Sequence, residues 1–363
     1  MCYMQVSKDS PLEGTGLTQQ GSAGVASVAF HVARSEPPVA DTCRLSVVVP
    51  VYNSETTLHR CLSSVLRSTE KDIEVVCVND GSTDNSTEIL REWAGKDARV
   101  RVFEQANKGV SAARNLALQH AGGTYITFVD ADDEVEADYF CQFLTAAEQH
   151  HASCVISGYS IKYTDGRLDY LTLSEGVFLS PSPRVLRSLP AGVCGHLYER
   201  RVIRESGALF PEDIHYGEDT AFHYAQYGFC HTYVQITSVG YIVHSTPGSL
   251  SSSSHRYVAG MVKATAWLAK QYERQNWPQG TKECLLHYAS HAWRRICSQA
   301  SDVDRRQLRI ELRDILQAVA PTPGHLQTLR RSEARMIKSL IKGGKGLPCF
   351  FYVKKIRKLL KLK

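Results

Sequence analysis

Residues 45–53 read LSVVVPVYN, residues 73–84 read IEVVCVNDGSTD, and residues 125–133 read YITFVDADD. Each segment is an apolar run rich in β-branched residues, typical of a buried strand, and each ends in a polar cluster. The intervening segments carry apolar residues at helical spacing, so strands and helices alternate along this part of the chain. The alternation predicts an α/β fold with a mostly parallel sheet and helices on both of its faces.

The polar clusters are expected to lie together. In an open α/β sheet, ligands bind outside the carboxyl ends of the strands, which is where these three clusters fall. A fourth motif, GVSAARN at residues 109–115, opens a predicted helix, and a helix N-terminus favours phosphate. A single Asp-x-Asp sequence would be weak evidence, but four motifs in this order predict one shared pocket.

In this order the four motifs resemble those of the family 2 glycosyltransferases, of the type that acts on bacterial cell-surface polysaccharides. The motifs are VPVYN at 49–53, NDGSTD at 79–84, GVSAARN at 109–115 and DADD at 130–133. The resemblance extends over about residues 44–250 and implies the GT-A fold, which binds nucleotide-diphospho-sugars. It also implies a metal-dependent enzyme that inverts the configuration of the transferred sugar.

A uridine nucleotide is the expected ligand of the first two clusters. Tyr52 offers an aromatic face, and stacking on a nucleobase contributes about 1–3 kcal/mol. Asp80, at the end of the adjacent predicted strand, can accept a hydrogen bond from N3–H of uracil. The resemblance implies that the residues around the uridine are Pro50, Tyr52, Asn53, Glu55 and Asp80.

The diphosphate and a metal ion are assigned to the next two motifs. Arg114 presents a donor fork suited to phosphate oxygens. In an extended chain Asp130 and Asp132 point to one side, and such carboxylates hold Mg²⁺ or Mn²⁺ together with substrate phosphates. The resemblance implies that Asp130 contacts the ribose and that Asp132 ligates the metal. Asp133 is expected to cap the next helix.

The acceptor side is expected in the second half of the chain. The segment YGEDTAF at residues 216–222 resembles the E-D-x-x-F motif of the family, which implies that Asp219 is the general base. Glu218 either fills that role instead or binds the acceptor. Residues 241–244, YIVH, and residues 247–251, PGSLS, resemble the family's closing segment near the diphosphate, and His244 is assigned to the metal or the diphosphate.

One departure from the family pattern concerns acceptor recognition. The family often has a Trp and a Lys before a Leu-Tyr pair, whereas residues 193–198 of this chain read VCGHLY. His196 therefore stands at the usual lysine position, and we assign it to contact with the acceptor. The departure concerns the predicted acceptor site and leaves the predicted donor site intact.

Other functions fit these residues less well. A sugar nucleotidyltransferase on a related fold would need a glycine-rich phosphate loop directly after the first strand, where residues 51–54 read VYNS. A dehydrogenase would need G-x-G-x-x-G at that place, and a glycosidase would use two carboxylates without a uridine cluster. A non-catalytic nucleotide-sugar-binding protein stays open, although the set Asp130, Asp132 and Asp219 argues against it.

The composition is that of an ordinary globular protein, with 363 residues, 43% of them hydrophobic and 22% charged. No apolar run reaches the ~18 residues of a membrane span, and no signal peptide is evident. The eleven cysteines include no C-x-x-C pair, so we expect reduced core thiols in a cytoplasmic protein, without structural zinc.

We divide the chain into a disordered extension (1–42), a GT-A domain (43–252) and a helical region (253–363).

The C-terminal segment is strongly basic. Residues 330–363 hold twelve Lys and Arg against one Glu, in a chain whose net charge is only +5. Within residues 350–363 apolar and basic residues recur at helical spacing, typical of an amphipathic helix on an anionic membrane. Nucleic acid is a poorer partner, because no aromatic-basic groove motif accompanies the charge. We therefore expect a peripheral protein at the cytoplasmic face of a membrane, with a UDP-sugar donor and a glycan or lipid-linked acceptor.

Overall fold

The computed structural model describes residues 43–179, 192–245, 254–275, 277–300, 302–319 and 331–342, together with Pro321, His325 and Leu329. Three predicted features lie outside the described residues: the disordered extension, the segment at 247–251 and the basic helix at 350–363.

Twelve strands are present in the described residues. Numbered along the chain, they are β1 (Cys43–Val51), β2 (Ile73–Asp80), β3 (Val100–Gln105), β4 (Gly123–Phe128), β5 (Glu134–Val135), β6 (Cys154–Ile156), β7 (Tyr159–Tyr163), β8 (Leu168–Leu171), β9 (Gly176–Leu179), β10 (His196–Glu199), β11 (Thr232–Gln235) and β12 (Tyr241–Ser245). Eight form one sheet in the order β3-β2-β1-β4-β10-β6-β11-β9, and four form a second sheet in the order β5-β12-β7-β8. The first four strands of the large sheet are parallel, as the sequence predicts, and β10 runs antiparallel to β4.

Ten helices are present in the same residues. They are α1 (Leu58–Leu66), α2 (Ser86–Lys96), α3 (Val110–His120), α4 (Tyr139–His150), α5 (Arg200–Ser206), α6 (Glu218–Tyr227), α7 (Ser254–Gln275), α8 (Gln279–Gln299), α9 (Asp302–Val319) and α10 (Arg331–Ile341). The strand and helix alternation predicted from residue 45 to residue 150 is therefore confirmed. The sequence also predicts antiparallel strands within residues 154–180 with a turn at Asp165-Gly166, and the antiparallel pair β7 and β8 turns at Gly166 with a φ of 85°.

The central strand β1 is buried on both faces, which explains its continuous apolar sequence. Val47 and Val49 pack into one core cluster, on the face covered by α1 and α4, and Val48 packs into the other, on the face covered by α3. Such two-sided burial is typical of parallel strands. Pro50 fits here because β4 pairs with β1 only as far as Val48, so the missing N–H of Pro50 faces no partner strand on that side.

The sequence predicts that Ser54 or Asn53 caps α1 and that Asp84 caps α2, and both predictions are wrong. Helix α1 has Thr57 as its N-cap, because Ser54 and the residues after it form a turn before the helix begins. Helix α2 has Asn85 as its N-cap. The Asp84 carboxylate instead accepts hydrogen bonds from the backbone N–H of Glu55 (2.9 Å) and of Ser86 (3.0 Å), and so ties the two strand-end loops together.

The C-terminal helices pack on the second half of the large sheet's domain and on one another. Helix α7 approaches the turn before α6 so closely that a Cβ at Gly260 would lie 2.1 Å from the backbone oxygen of Tyr216. Helices α7 to α10 also share a separate apolar core that contains Trp293 and Leu312. Among the described helices, none is both long and apolar enough to cross a lipid bilayer.

The closest contact between β1 and β4 gives a test of this fold. A Cβ at Gly123 would lie 2.4 Å from the backbone nitrogen of Ser46, so Gly123→Ala forces two paired backbones apart. We expect this variant to lose about 1–3 kcal/mol of unfolding free energy, measured by urea denaturation. Gly95→Ala is the matched control, because its Cβ meets nothing within 4 Å in helix α2. The control should be neutral or up to ~1 kcal/mol more stable, and equal losses in both variants would contradict the close packing.

Candidate active site

Asp130 lies at the carboxyl edge of the large sheet. Strand β4 ends at Phe128, and the backbone N–H of Val129 still donates to the carbonyl of Val48 at 3.0 Å. Asp130 follows directly, and its own N–H donates to the hydroxyl of Tyr241 at 3.1 Å. Its side chain is 32% exposed, so the carboxylate faces the cleft above the sheet.

Arg114, in the first turns of α3, connects this strand end to a second element. Its Nη2 donates to Asp130 Oδ1 at 2.9 Å, and its Nη1 lies 3.5 Å from Glu218 Oε1 at the start of α6. The Arg114 side chain is only 5% exposed. The buried guanidinium of Arg114 therefore connects the predicted donor side of the cleft with its predicted acceptor side.

The surroundings of Arg114 keep it charged. Burial alone would lower the pKa of the guanidinium, but the carboxylates of Asp130, Glu218 and Asp219 outweigh it and raise the pKa above its ordinary value. The guanidinium carbon also lies 5.3 Å from the centre of the Phe210 ring, a cation–π distance. Within the described residues, Nε and Nη1 have no hydrogen-bond acceptor. Buried donors without partners are costly unless a ligand or water completes them.

Glu218 and Asp219 form the start of α6. Gly217 precedes them with a φ of 85°, which turns the chain sharply into the helix. Asp219 Oδ1 accepts hydrogen bonds from the backbone N–H of Thr220 at 2.6 Å and from its hydroxyl at 3.2 Å. Burial and the neighbouring Asp219 raise the pKa of Glu218 to about 7, although Arg114 opposes them. Burial likewise raises the pKa of Asp219. This carboxyl pair can exchange a proton near neutral pH.

The acidic residues after Asp130 take two different positions. Asp132 is exposed in the cleft, where loss of hydration and the Asp130 carboxylate raise its pKa. Asp133 is buried, and the expectation that it caps the next helix is wrong, because Asp138 is the N-cap of α4. Burial, Asp130 and Asp132 together raise the pKa of Asp133 to about 8.

Asp133 is fixed by strand β12. Its Oδ2 accepts a hydrogen bond from the Tyr241 hydroxyl and its Oδ1 accepts one from the backbone N–H of His244, each at 2.9 Å. Because the Tyr241 hydroxyl also accepts from Asp130 N–H, one tyrosine locks the whole acidic loop to β12. Neither Tyr241 nor Asp133 was assigned to the site from the sequence.

His244, the predicted metal or diphosphate ligand, lies beside this loop. Its Nε2 is 2.6 Å from Glu134 Oε1, so a metal bond at Nε2 would require Glu134 to move away. Arg60 of α1 completes the group: its Nε lies 3.3 Å from the same Glu134 oxygen, and its Nη2 donates to the backbone carbonyl of Asp132 at 2.5 Å. The pairing of Arg60 with this loop was not predicted, because 72 residues separate it from Asp132.

The predicted uridine residues lie in the loops after β1 and β2. Tyr52 is 50% exposed, so its ring face is open to a base. Asn53 has a φ of 47°, and its side-chain oxygen accepts from Thr83 N–H at 2.8 Å. Glu55 Oε2 accepts from the backbone and the side chain of Asn85, at 3.0 and 2.9 Å. These bonds fix the two loops to each other beneath the Tyr52 ring.

Asp80 is more enclosed than its predicted role suggests. It is buried at the end of β2, where Oδ1 accepts from Gln105 Nε2 at 2.7 Å and from Lys108 N–H at 2.8 Å. Oδ2 accepts from Gly109 N–H at 2.8 Å. A carboxylate oxygen has about two acceptor sites, so Oδ2 retains one for a ligand.

His196 does not fit the assignment to acceptor contact. It is 0% exposed in β10, where Nε2 pairs with the Tyr227 hydroxyl at 2.7 Å and Nδ1 pairs with the carbonyl of Cys194 at 3.1 Å. Burial lowers the pKa of this histidine well below its ordinary value, so the ring is neutral. A neutral, enclosed imidazole packs the core at the position where the family often has a lysine.

Comparison with known proteins adds an independent finding. The model of the family described as Glycosyl transferase family 2 matches residues 46–203. The chain is 31% identical over 317 residues to the uncharacterised glycosyltransferase EpsJ of Bacillus subtilis (strain 168), an alignment that covers 82% of this chain and 92% of EpsJ. It is 40% identical over 136 residues to the glycosyltransferase GlyA of Streptococcus pneumoniae serotype 4 (strain ATCC BAA-334 / TIGR4), covering 37% of this chain and 20% of GlyA.

A solved structure has the same fold. The crystal structure of S. aureus TarS 1-349 in complex with UDP-GlcNAc aligns with a TM-score of 0.65 at 20% identity, over 82% of this chain and 87% of the TarS chain. The likeness confirms the predicted α/β fold class, with helices flanking a mostly parallel first half of the sheet.

The raised pKa of Glu218 predicts a dependence of stability on pH. Between pH 4.5 and about 7 the folded protein keeps a proton on Glu218 that the unfolded chain has lost, so the free energy of unfolding falls as pH rises. From pH 5 to pH 7 this contribution amounts to about 2 kcal/mol. We expect Glu218→Gln to remove that part of the fall, measured by urea unfolding at both pH values. Glu88→Gln, on exposed Glu88, is the control and should follow the wild type. An unchanged fall in Glu218→Gln would contradict the shifted pKa.

Proposed function

The chain belongs to glycosyl transferase family 2, and from that membership we propose that it moves a sugar from a UDP-sugar to a hydroxyl group with inversion at the anomeric carbon. The acceptor in this proposal is a glycan or a lipid-linked saccharide used in cell-surface polysaccharide synthesis. The observation that carries the proposal is the ion-pair arrangement at Arg114, which pairs with Asp130 at 2.9 Å and with Glu218 at 3.5 Å. Inverting transfer needs a base across the cleft from the donor, and the arrangement supports this proposal because Arg114 joins Asp130 to the start of α6, where Glu218 and Asp219 stand.

A uridine diphosphate donor is supported by the loops after β1 and β2. The exposed ring of Tyr52 offers a stacking surface, and the remaining acceptor site on Asp80 suits the N3–H of uracil. TarS, which has the same fold, has been crystallised in complex with UDP-GlcNAc and with UDP. We assign Pro50, Asn53 and Glu55 to the walls of the same uridine site.

A divalent metal ion, Mn²⁺ or Mg²⁺, fits the acidic loop. Asp130, Asp132 and Asp133 stand within four residues, and their mutual repulsion contributes to the raised pKa of Asp132 and Asp133. A cation would relieve this repulsion, and oxygen ligands suit both ions. The Cys194 thiol also lies within 4.8 Å of the Asp130 and Asp133 ligand atoms, but burial raises its pKa and keeps it a neutral, poor ligand for these ions. When bound, the metal would neutralise charge on the diphosphate.

We propose Asp132 as the carboxylate that reaches the metal, because it is the exposed member of the loop, with His244 as a further ligand on release of Glu134. Asp130 is then left to contact the ribose while it remains paired with Arg114. The ion pair between Arg114 Nη2 and Asp130 supports the assignment of Arg114 to the donor site.

The base is assigned to the pair at the start of α6. The acceptor hydroxyl gives its proton to Asp219 as its oxygen attacks the anomeric carbon and the bond to the diphosphate breaks. Glu218, with its pKa of about 7, either exchanges that proton with Asp219 or binds the acceptor. The pair therefore combines a proton acceptor and a proton store at physiological pH.

The C-terminal part is proposed to bring the acceptor side to a membrane. In this division residues 43–252 carry the transfer reaction, and the helical region 253–363 supports it and ends in the basic segment. The segment's net positive charge suits anionic lipid headgroups at the cytoplasmic face.

A donor panel tests the proposed function. UDP release would be measured for several UDP-sugars with Mn²⁺, with Mg²⁺ and with EDTA, in the wild type and in Asp132→Ala. We expect slow hydrolysis of one donor, lost with EDTA and in the variant, because both remove the charge that balances the diphosphate. Hydrolysis that is unaffected by EDTA would contradict the metal site. A calorimetric titration with UDP that gives no binding would contradict the donor site itself.

Asp219→Asn tests the base. The variant keeps the shape of the side chain but cannot accept the proton, so turnover should fall by about 10²- to 10⁴-fold. Binding of UDP, measured by calorimetry, should be retained. Asp314→Asn is the control, on an exposed aspartate of α9. Normal turnover in Asp219→Asn would remove Asp219 from the base role and leave Glu218 as the candidate.

Removal of residues 348–363 tests the membrane proposal. The shortened protein should lose sedimentation with vesicles of anionic phospholipid, because the basic and apolar residues of the segment are removed. It should keep its UDP binding, because the residues assigned to the donor and the metal lie between positions 50 and 244. Vesicles of zwitterionic lipid serve as the control. Equal sedimentation of the full and the shortened chain with anionic vesicles would contradict this role.

A further inference from the structure

Residues 192–195, with the sequence GVCG, form a short segment between the two halves of the cleft. Cys194 Sγ lies 3.8 Å from Asp130 Oδ2, on the donor side. A Cβ at Gly192 would lie 3.5 Å from Asp219 Oδ2, on the side of the base. The segment therefore lines the space between the carboxylate at the donor and the carboxylate that takes the acceptor's proton.

The backbone of this segment is held at three carbonyl groups. Gly192 and Gly195 have φ values of 103° and 77°, a conformation that favours glycine at both positions. The carbonyl of Gly195 accepts a hydrogen bond from the backbone N–H of Ser157 at 2.9 Å. The carbonyls of Gly192 and Cys194 are held by histidine side chains.

The two histidines bind the segment from the core side. His196 Nδ1 lies 3.1 Å from the carbonyl of Cys194, and His223 Nε2 is hydrogen-bonded to the carbonyl of Gly192. A carbonyl can only accept, so each of these ring nitrogens carries the proton. The opposite nitrogen of each ring then accepts from a buried tyrosine hydroxyl: Tyr227 for His196, at 2.7 Å, and Tyr198 for His223.

The pair is fixed as well as neutral. The two imidazole rings stack with their centres 4.0 Å apart, and both side chains are almost completely buried. Burial lowers the pKa of His223 to about 3 and lowers that of His196 well below its ordinary value. With partners on both nitrogens, each ring has one orientation, in which it holds one carbonyl of the segment.

We propose that His196 and His223 are positioning residues that hold segment 192–195 as the wall of the sugar-transfer cleft. This inference rests on the proposed function, which assigns Asp130 to the donor side and Asp219 to the base on either side of the wall. When the segment is loosened, the sugar and the base are therefore expected to be misaligned. Misplacement of about 1 Å can lower a rate by about 100-fold without removing any reacting group.

The first test needs no substrate. Nitrogen-15 NMR of the histidine side chains in the intact protein reports which ring nitrogen carries the proton. We expect two histidines that stay neutral from pH 6 to pH 8, one protonated at Nδ1 (His196) and one at Nε2 (His223). Assignment uses His196→Asn and His223→Gln. The same tautomer in both, or titration of either near pH 6.5, would overturn the proposal.

The second test separates positioning from mere stability. His223→Gln keeps an N–H donor near the place of Nε2, and His196→Asn keeps one near the place of Nδ1, whereas His223→Leu and His196→Leu remove the donor. We expect iodoacetamide to label Cys194 several-fold faster in the Leu variants than in the wild type. The labelling rate is measured by mass spectrometry, with the exposed Cys141 as internal reference. The Gln and Asn variants should remain near the wild-type rate. Equal labelling in Leu and donor-retaining variants would overturn the proposal.

Activity then adds a third measurement. We expect kcat for the donor to fall by about 10- to 100-fold in the Leu variants, with UDP binding retained and with rescue in the Gln and Asn variants. A loss of kcat that is equal in the Leu variants and in the Gln and Asn variants, and that follows only their melting temperatures, would contradict a positioning role. If no donor is turned over by the wild type, the proposed function fails, and the NMR and labelling results still decide the structural role of the two histidines.

Discussion

Arg114 is a buried cation between two groups of carboxylates, and the arrangement of the cleft depends on it. Three acidic side chains, those of Asp130, Glu218 and Asp219, raise its pKa against the effect of burial. They come from the end of β4 and the start of α6, elements that lie about 90 residues apart in the chain. Without the charge of Arg114, these carboxylates would repel one another in a partly desolvated site, which is strongly unfavourable. The same charge balance gives Glu218 a pKa near neutrality, the property that a proton-transferring group needs.

The sheet explains why acidic and polar groups accumulate at this edge. Parallel strands β1, β2 and β4 all end here, and the loops after β1 and β2 are joined by side-chain bonds such as those of Asp84, Glu55 and Asn53. The loop after β4 is anchored differently, through the hydroxyl of Tyr241 on the second sheet. In the proposed reaction the cleft must accept a diphosphate among many carboxylates. In this proposal a divalent cation would balance these charges, so metal removal and Asp132→Ala are expected to have the same effect.

The strands, the helices and the meeting of the polar motifs at one edge of the sheet could be predicted from the sequence, because apolar periodicity is local and the carboxyl-edge rule follows from the parallel sheet. The roles of the buried residues around the cleft could not be predicted. Asp133 and Tyr241 meet across 108 residues, and His196 and Tyr227 across 31, so their burial depends on packing that no motif encodes. His196 was assigned by its place in a family pattern, and the structure makes it a neutral core residue instead. Cys194 stands beside the same departure from the pattern, and that departure was the available signal that this part of the cleft is built differently.

A double-mutant cycle on the free energy of unfolding tests the role of Arg114 most directly. It compares Arg114→Gln, Asp130→Asn and the double variant at pH 7.5 by urea denaturation. We expect Arg114→Gln alone to cost about 3–5 kcal/mol, because it leaves buried carboxylates without a counter-charge. The double variant should be destabilised by less than the sum of the single variants, with a coupling of about 0.5–3 kcal/mol. Additive losses would contradict the view that one buried ion pair holds the two sides of the cleft together.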